Sequence, residues 1–436
     1  IYPRRRIRSS SATRCLDCNN PQCVTGCPVG IDIPKFIKNI ERRHFADAAA
    51  TLKETSSLPA VCGRVCPQEK QCESKCIRLK MKQPAVAIGY LERFAADWQR
   101  NSGEEEAVKM EPKNGIKVAV VGSGPSGLSF AGDMAKKGFD VAVFEALHEI
   151  GGVLKYGIPE FRLPNAVVDH EIEGLRKMGV DFQKDVLIGR TITYDDLHSM
   201  GFKGIFVGSG AGFPRFMNIP GENLNGVMSS NEYLTRINLM QAGRGGDTPV
   251  ITGDTVAVVG GGNTAMDSTR TALRMGAKRV ILVYRRSEAE MPARLEEIGH
   301  AKEEGVELMT LHNPVEYIGD EKGRVRAMKV QRMELGEPDA SGRRSPIPVE
   351  GAIEEIPVDV VIVAVGVSPN SLVPRSIDGL EVSRRGTIVV NDESMQSNIS
   401  DLYAGGDIVR GGATVILAMG DGRKAAQNMA KTLLEK

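Results

Sequence analysis

Residues 117–127, Lys-Val-Ala-Val-Val-Gly-Ser-Gly-Pro-Ser-Gly, admit few folds. Lys117 to Val121 is short, valine-rich and closed by glycine, as a strand buried on both faces is. Gly122, Gly124 and Gly127 follow in G-x-G-x-x-G spacing, with Pro125 and Ser126 between the last two. In such a loop the first glycine makes the turn, the second lets backbone approach a pyrophosphate, and the third packs helix on strand. A helix is expected from Leu128 to Lys137 and a second strand from Asp140 to Phe144. That strand ends in Glu145, where a carboxylate can accept from ribose hydroxyls. An isolated glycine motif is also met as a plain turn. Here strand, helix and acid in order favour a dinucleotide site.

A second loop of this kind begins near Thr255. Val256 to Val259 reads as a strand, followed by Gly260, Gly261, Gly262, Asn263, Thr264 and Ala265, a G-x-G-x-x-A variant. A helix from Ala265 to Met275 and a strand from Arg279 to Val283 are expected next. This strand ends not in an acid but in Tyr284-Arg285-Arg286. Arginines suit a 2′-phosphate where an acid would suit a free 2′-hydroxyl, so the pattern points to NADP(H). The alternative is a solvated arginine pair at a strand end.

Further candidates lie between and beyond the loops. After Glu145 come Gly151, Gly152, Val153 and Leu154, useful where a large cofactor passes the backbone. Lys155 and Arg162 could face phosphate or flavin, although long cations are more often surface residues. Gly204 to Val207 and Val360 to Val365 read as apolar strands, the latter closing on Gly366. Leu402 to Asp407 reads as a strand with a terminal Gly406-Asp407, and a helix from about Ala413 to Leu434 follows. Glycine stands at 48 of 436 residues, an excess over the usual ~7 % that fits several phosphate-binding turns.

The cysteines carry a different message. All eight fall between Cys15 and Cys76. Cys15, Cys18, Cys23 and Cys27 precede Pro28; Cys62, Cys66, Cys72 and Cys76 form a second run. Nothing in the sequence signals secretion, so a disulfide framework is disfavoured and metal chemistry favoured. Zinc usually takes paired C-x2-C knuckles, often with histidine; here one such pair exists and His44 is the nearby histidine. A tight run ending Cys-Pro fits iron–sulfur ligation better. Ile33 to Leu52 and Ala85 to Trp98 have helical periodicity, and residues 100–115 read as a linker. Arg4, Arg5, Arg6 and Arg8 make a basic run with no assigned role. With net charge +1 and no apolar run long enough to span a bilayer, neither nucleic acid nor membrane is expected as a partner, and a cytoplasmic location is.

In combination, the cysteine runs, GSGPSGL, GGV, VVGGGNTAMD, YRRSEAEMPA and LYAGGD resemble the small subunit family of NADPH-dependent glutamate synthase over nearly the whole chain. The set is also similar to the large subunit of NADH-dependent reduced ferredoxin:NADP oxidoreductase and to the amino-terminal part of dihydropyrimidine dehydrogenase. The resemblance implies an α/β fold: a helical iron–sulfur domain followed by two Rossmann-like dinucleotide-binding domains, the second inserted into the first. It places a helical domain with two 4Fe–4S clusters at 1–112, an FAD domain at 113–250 and 366–436, and an NADPH domain at 251–365. It implies FAD contacts at Gly366, Gly406, Asp407, Ala413 and Thr414 as well as the first loop.

The resemblance also implies interleaved ligands. One cluster would take Cys15, Cys18, Cys23 and Cys76; the other Cys27, Cys66, Cys72 and, in the segment AIGYLERFA, Glu92. Cys62 would not be a ligand. The residues alone leave four cysteines per run equally open. The activity implied is NADPH oxidation through FAD, with electrons passed to a larger FMN-containing subunit that makes glutamate from glutamine and 2-oxoglutarate. The ferredoxin-linked relative implies instead a small flavoprotein partner, with ferredoxin as a further one, and electron bifurcation. A nonredox zinc-binding scaffold is the reading from another class. Hydride transfer needs orientation and dryness rather than an acid or base, so no catalytic side chain is named.

Overall fold

The computed structural model of the chain describes residues 11–103, 108–242, 247–340 and 342–435. The basic run at Arg4 to Arg8 lies outside them, as does part of the expected linker. The chain divides into two compact units. One comprises residues 1–155, 160–211 and 369–436; the other comprises 156–159 and 212–368.

The first unit holds the cysteine-bearing helices and a five-stranded parallel sheet. Valine-rich Lys117–Val121 lies at its centre, between Asp140–Phe144 and Phe202–Val207. Asp181–Gln183 forms one edge and Leu402–Ala404 the other. Strands this apolar are stable only with helices on both faces. Pro125–Lys136 and Val415–Leu434 cover one face, and the other buries Phe144, Leu197, Ile205 and Ile408. The second unit repeats the arrangement: Thr255–Val259 at the centre, Arg279–Tyr284 and Glu307–Thr310 to one side, Val360–Val363 and Val227–Ser229 to the other, all parallel. An antiparallel meander, His312–Gly319, Val325–Pro338 and Arg344–Pro357, packs Met328 and Val330 against that sheet's Val259 and Val283.

The structure shifts several sequence-based boundaries. Residues 212–250, expected with the first sheet, belong to the second unit, because Val227–Ser229 pairs with Val360–Val363. Gly366 also lies in the second unit, which extends to Ser368. The helix expected across 33–52 is two, Ile33–Glu41 and Phe45–Thr55, broken where Arg43 takes φ 66°. The helix expected at 85–98 runs Ile88–Ser102 and ends on Gly103 in the left-handed region. Both glycine-loop helices begin at the loop itself, Pro125 and Asn263, earlier than periodicity suggested. No described helix is long and apolar enough to cross a membrane.

Close backbone approach sets the packing of the two helices on the first sheet. A Cβ at Gly422 would stand 2.2 Å from the Ser126 carbonyl oxygen, and one at Gly127 2.0 Å from that of Gly122. Gly174, also helical, has nothing within 4 Å of an added Cβ. Gly422→Ala should therefore destabilise the first unit by about 1–3 kcal/mol, as overpacking does. Gly174→Ala should stabilise it by about 0.5–1 kcal/mol through helix entropy. Urea denaturation of both variants checks the opposite signs.

Candidate functional site

The first glycine loop is built for a ligand at one position and for packing at the others. Gly122 has φ 97°, and a Cβ there would meet the Gly208 carbonyl at 2.7 Å. Gly124 has open space around its missing Cβ and is the helix N-cap without a side-chain cap. With no capping side chain and open room at the Gly124 Cβ position, the loop meets two requirements of a pyrophosphate cradle. Gly152 closes over it: a Cβ would lie 2.9 Å from the Gly124 Cα, at φ 55°. Val153 and Leu154 start a short helix, and the Leu154 side chain is fully buried, a packing residue.

Glu145 lies at the strand end as expected. Its Oε2 accepts from the Ser123 N–H at 2.9 Å and hydroxyl at 2.6 Å, and its Oε1 from the Leu147 N–H at 2.9 Å. Ser123 also accepts from the Gly151 N–H at 2.9 Å. One buried serine therefore ties the loop, the acid and the second glycine pair together. As a variable position of G-x-G it gave no sequence signal. Gly406 and Asp407 come to the same place: a Cβ at Gly406 would stand 2.9 Å from that of Ser126. Burial raises the Asp407 carboxyl to about 6, and its Oδ1 accepts from the Ala413 N–H at 3.1 Å. Thr414 caps the helix that follows. Asp421, which the sequence did not flag, accepts from the Gly406 N–H at 3.0 Å and holds Arg410 with both oxygens at 2.6 Å. Lys155 is not available to a phosphate: it is buried and ion-paired to Asp169 at 2.5 Å. Arg162 is half-buried and engaged within the protein.

The second loop repeats this design. Gly260 has φ 144°, with the Ala364 carbonyl 2.3 Å from its would-be Cβ. Gly262 is the open, uncapped position. Gly261, expected as a cofactor contact, is required by packing, since the Tyr284 ring stands 2.6 Å from its Cβ site. Asn263 Oδ1 accepts from the Arg294 N–H at 2.9 Å, Thr264 is exposed, and Ala265 is buried in the core. The two arginines separate. Arg286 is buried; it donates to Asp339 at 2.6 Å and to the Arg344 carbonyl at 2.8 Å. Arg285 is exposed, with no hydrogen bond or ion pair among the described residues. Gly366 has φ 110° and open surroundings, and its carbonyl accepts from the Arg215 N–H at 3.0 Å.

The cysteines sort into two electrostatic neighbourhoods. Burial pushes the Cys23 thiol up to about 11, with Cys15 and Cys76 beside it adding to the rise. Burial also raises Cys15, with Cys18 near. In the other group, burial raises Cys27 to about 11, with Glu92 and Cys62 close. Burial raises Cys72 as well, with Glu92, Glu73 and Cys27 nearby. Contact with Cys62, then burial, pushes Cys66 well up. Cys76 thus stands with the first run, and Cys27 with the second. Cys62 is wholly buried and also points at the Met419 sulfur, 3.5 Å away.

Glu92 reaches this group because helix Ile88–Ser102 lies close on Pro59–Val65. A Cβ at Gly63 would be 2.6 Å from the Arg93 nitrogen. Phe94 adds an edge-on contact with Phe45 at 5.1 Å. Burial raises Glu92 to about 8, and its Oε1 has no hydrogen-bond partner. Buried thiols and a carboxyl that resist ionisation alone fit a site whose bound cation would draw their protons off. No three described Cys, His, Asp or Glu side chains converge as around a single ion. A tetrahedral zinc would hold its sulfurs about 4 Å apart; the larger cluster does not ask that of them.

Comparison with known proteins agrees with both halves. Residues 4–104 match the family described as dihydropyrimidine dehydrogenase domain II, 4Fe-4S cluster. Residues 116–422 match the pyridine nucleotide-disulphide oxidoreductases, although the chain has no cysteine beyond Cys76. The glutamate synthase [NADPH] small chain of Escherichia coli is 37 % identical over 97 % of this chain and 91 % of its own. That of Azospirillum brasilense is 34 % identical over 97 % and 88 %. The NADPH-Fe(3+) oxidoreductase subunit beta of Geobacter sulfurreducens is 34 % identical over 98 % of this chain and 66 % of its own. Among solved structures, FprA of Mycobacterium tuberculosis in complex with NADPH superposes with TM-score 0.63 at 19 % identity, covering 74 % of this chain and 85 % of that one, a likeness of fold. Matched through its iron–sulfur and nucleotide-binding parts alike, the chain belongs to the family of NADPH-linked oxidoreductases that includes the glutamate synthase small chains.

Proposed function

We propose that this chain is the electron-input subunit of a glutamate synthase. It would oxidise NADPH at the second glycine loop, hold FAD at the first, and feed electrons through two 4Fe–4S clusters to a larger subunit. There, glutamine and 2-oxoglutarate would become glutamate. The carrying observation is the match to glutamate synthase small chains along nearly the full length of both partners. When bound, a flavin takes the electron pair of a hydride and releases it one electron at a time to iron–sulfur centres.

The chain's own residues would do the binding and orienting. The first-turn amides after Gly124 and Gly262 would each hold a pyrophosphate. Glu145, kept in place by Ser123, would hold the adenosine ribose of FAD. Asp407 and the turn to Thr414 would hold its ribityl and pyrophosphate end. Arg285 would meet the 2′-phosphate of NADPH. The eight cluster ligands would be Cys15, Cys18, Cys23 and Cys76, then Cys27, Cys66, Cys72 and Glu92.

The partner decides the reaction, and copurification tests it. Pulled from its native source, the chain should bring down a larger subunit that consumes glutamine and 2-oxoglutarate with NADPH. A complex reducing ferredoxin instead, without that activity, would favour the bifurcating alternative.

Five variants test the sites. An added Cβ at Gly124 meets no protein atom, so Gly124→Val should still fold yet purify without flavin; full flavin occupancy would refute the placement. Arg285→Ala should cost about tenfold or more in NADPH-over-NADH preference, the worth of a charged hydrogen bond. Arg286→Ala should cost less, since its guanidinium already serves Asp339; competitive binding of the two nucleotides measures both. Cys62→Ala should keep both clusters, whereas Glu92→Ala should disturb one. Iron content and the paramagnetic signals of the reduced variants would show the reverse if each run bound its own cluster.

A further inference from the structure

We propose that Glu171 is a positioning residue for the iron–sulfur centre that Glu92 serves, and that its charge lowers the reduction potential of that centre. The inference rests on the ligand reading above. Glu171 does not belong to the cysteine-bearing segment. It lies on helix Asn165–Lys177, beside the first parallel sheet, and is 6 % exposed. Its Oε1 accepts from the Ala60 N–H at 2.7 Å. Ala60 lies in the first turn of helix Pro59–Val65, whose C-cap is Cys66. The nucleotide-binding part of the unit thus grips the short helix that carries a ligand.

A backbone N–H needs only an acceptor; a hydroxyl or carbonyl would serve at lower desolvation cost than a buried carboxylate. The choice of a charged group asks for a second use. The charged groups within electrostatic reach of Glu171 are Lys53, Arg64 and Arg100, and it in turn acts on Glu92 and Cys62. The cations are partly committed elsewhere. Arg64 binds Asp97 at 2.8 Å and the Ala60 carbonyl at 2.9 Å, and Arg100 shares the same aspartate at 3.3 Å. Glu171, when ionised, therefore places negative charge within electrostatic reach of Glu92, in a setting where water screens little. Burial raises its carboxyl to about 7, so the anion prevails at pH 9. An electron added to the neighbouring centre meets that charge, and charge is among the quantities that set a cluster's potential. Glu171 is not among the groups that perturb Cys15 and Cys23 of the other centre, where the acidic neighbour is Asp17, with Lys38 opposing it.

The test uses the full chain with flavin and clusters in place, titrated at pH 9 by low-temperature paramagnetic resonance. Glu171→Gln keeps an oxygen acceptor for Ala60 and removes the charge. It should retain wild-type iron and flavin while favouring reduction of one centre by about tenfold, about 59 mV for one electron. Glu171→Asp keeps the charge and should leave the potential near wild type if the protein folds. The centre that moves must be the one whose signal Glu92→Ala abolishes. An unchanged potential in Glu171→Gln with iron intact, an equal shift of both centres, or loss of iron from Glu171→Gln would each overturn the proposal. If Glu92→Ala loses no iron, the ligand reading fails by itself, and the shift in Glu171→Gln is judged separately.

Discussion

The first unit depends on how closely its C-terminal helix lies against the helix after the first glycine loop. Without a side chain at Gly422, the two backbones meet at the Ser126 carbonyl. From that contact the helix reaches in every direction that matters. Asp421 holds Gly406 and Arg410, Met419 meets Cys62, and Gly420 admits the Pro28 carbonyl directly after Cys27. Arg423 pairs with buried Asp133 on the facing helix at 2.6 Å. One element thus touches both the candidate flavin cradle and the buried cysteine group. A shift of half an ångström between the helices would loosen both, because packed interiors transmit displacement rather than absorb it.

Much of this was legible in the sequence, and for a definite reason. Both glycine loops demand unusual backbone or close approach at fixed spacing, and few side chains can substitute. The strands at 117–121 and 255–259 and the open positions Gly124 and Gly262 therefore fell where the residues placed them. What spacing could not reveal was tertiary. Ser123, Asp421 and Glu171 hold the site through hydrogen bonds to groups distant in the chain, and no local pattern marks them. Arg286 looked like Arg285 until Asp339 appeared beside it. The antiparallel meander escaped notice because its long strands, with irregular register and much exposed surface, lack a clean alternation.

The grouping of the cysteines is a similar case. Two runs of four invite one centre each. The fold instead brings Cys76 to the first run and Cys27 to the second, because helix Pro59–Val65 and the turns after it carry the chain between the two groups. Glu92 arrives from a third helix, laid close by Gly63. If these groups hold clusters as proposed, ligand sets shared among distant segments would lock those segments together, and the helical region would gain stability from its cofactors.

The connectivity of the units has a consequence for how the chain is made. Residues 212–368 form a unit of their own between two parts of the other. On the ribosome, that middle portion is complete while the sheet begun at Lys117 still lacks its edge strand Leu402–Ala404 and its covering helix. For that interval Phe202–Val207 has an unpaired edge, and the apolar face awaiting helix Val415–Leu434 is bare, conditions that invite misassociation. The pairing that ends the interval joins residues nearly two hundred positions apart, so it is the slow, nonlocal step of folding. The segment from Leu402 to Leu434 therefore acts as a latch: the first sheet is closed and covered only once that segment has been made.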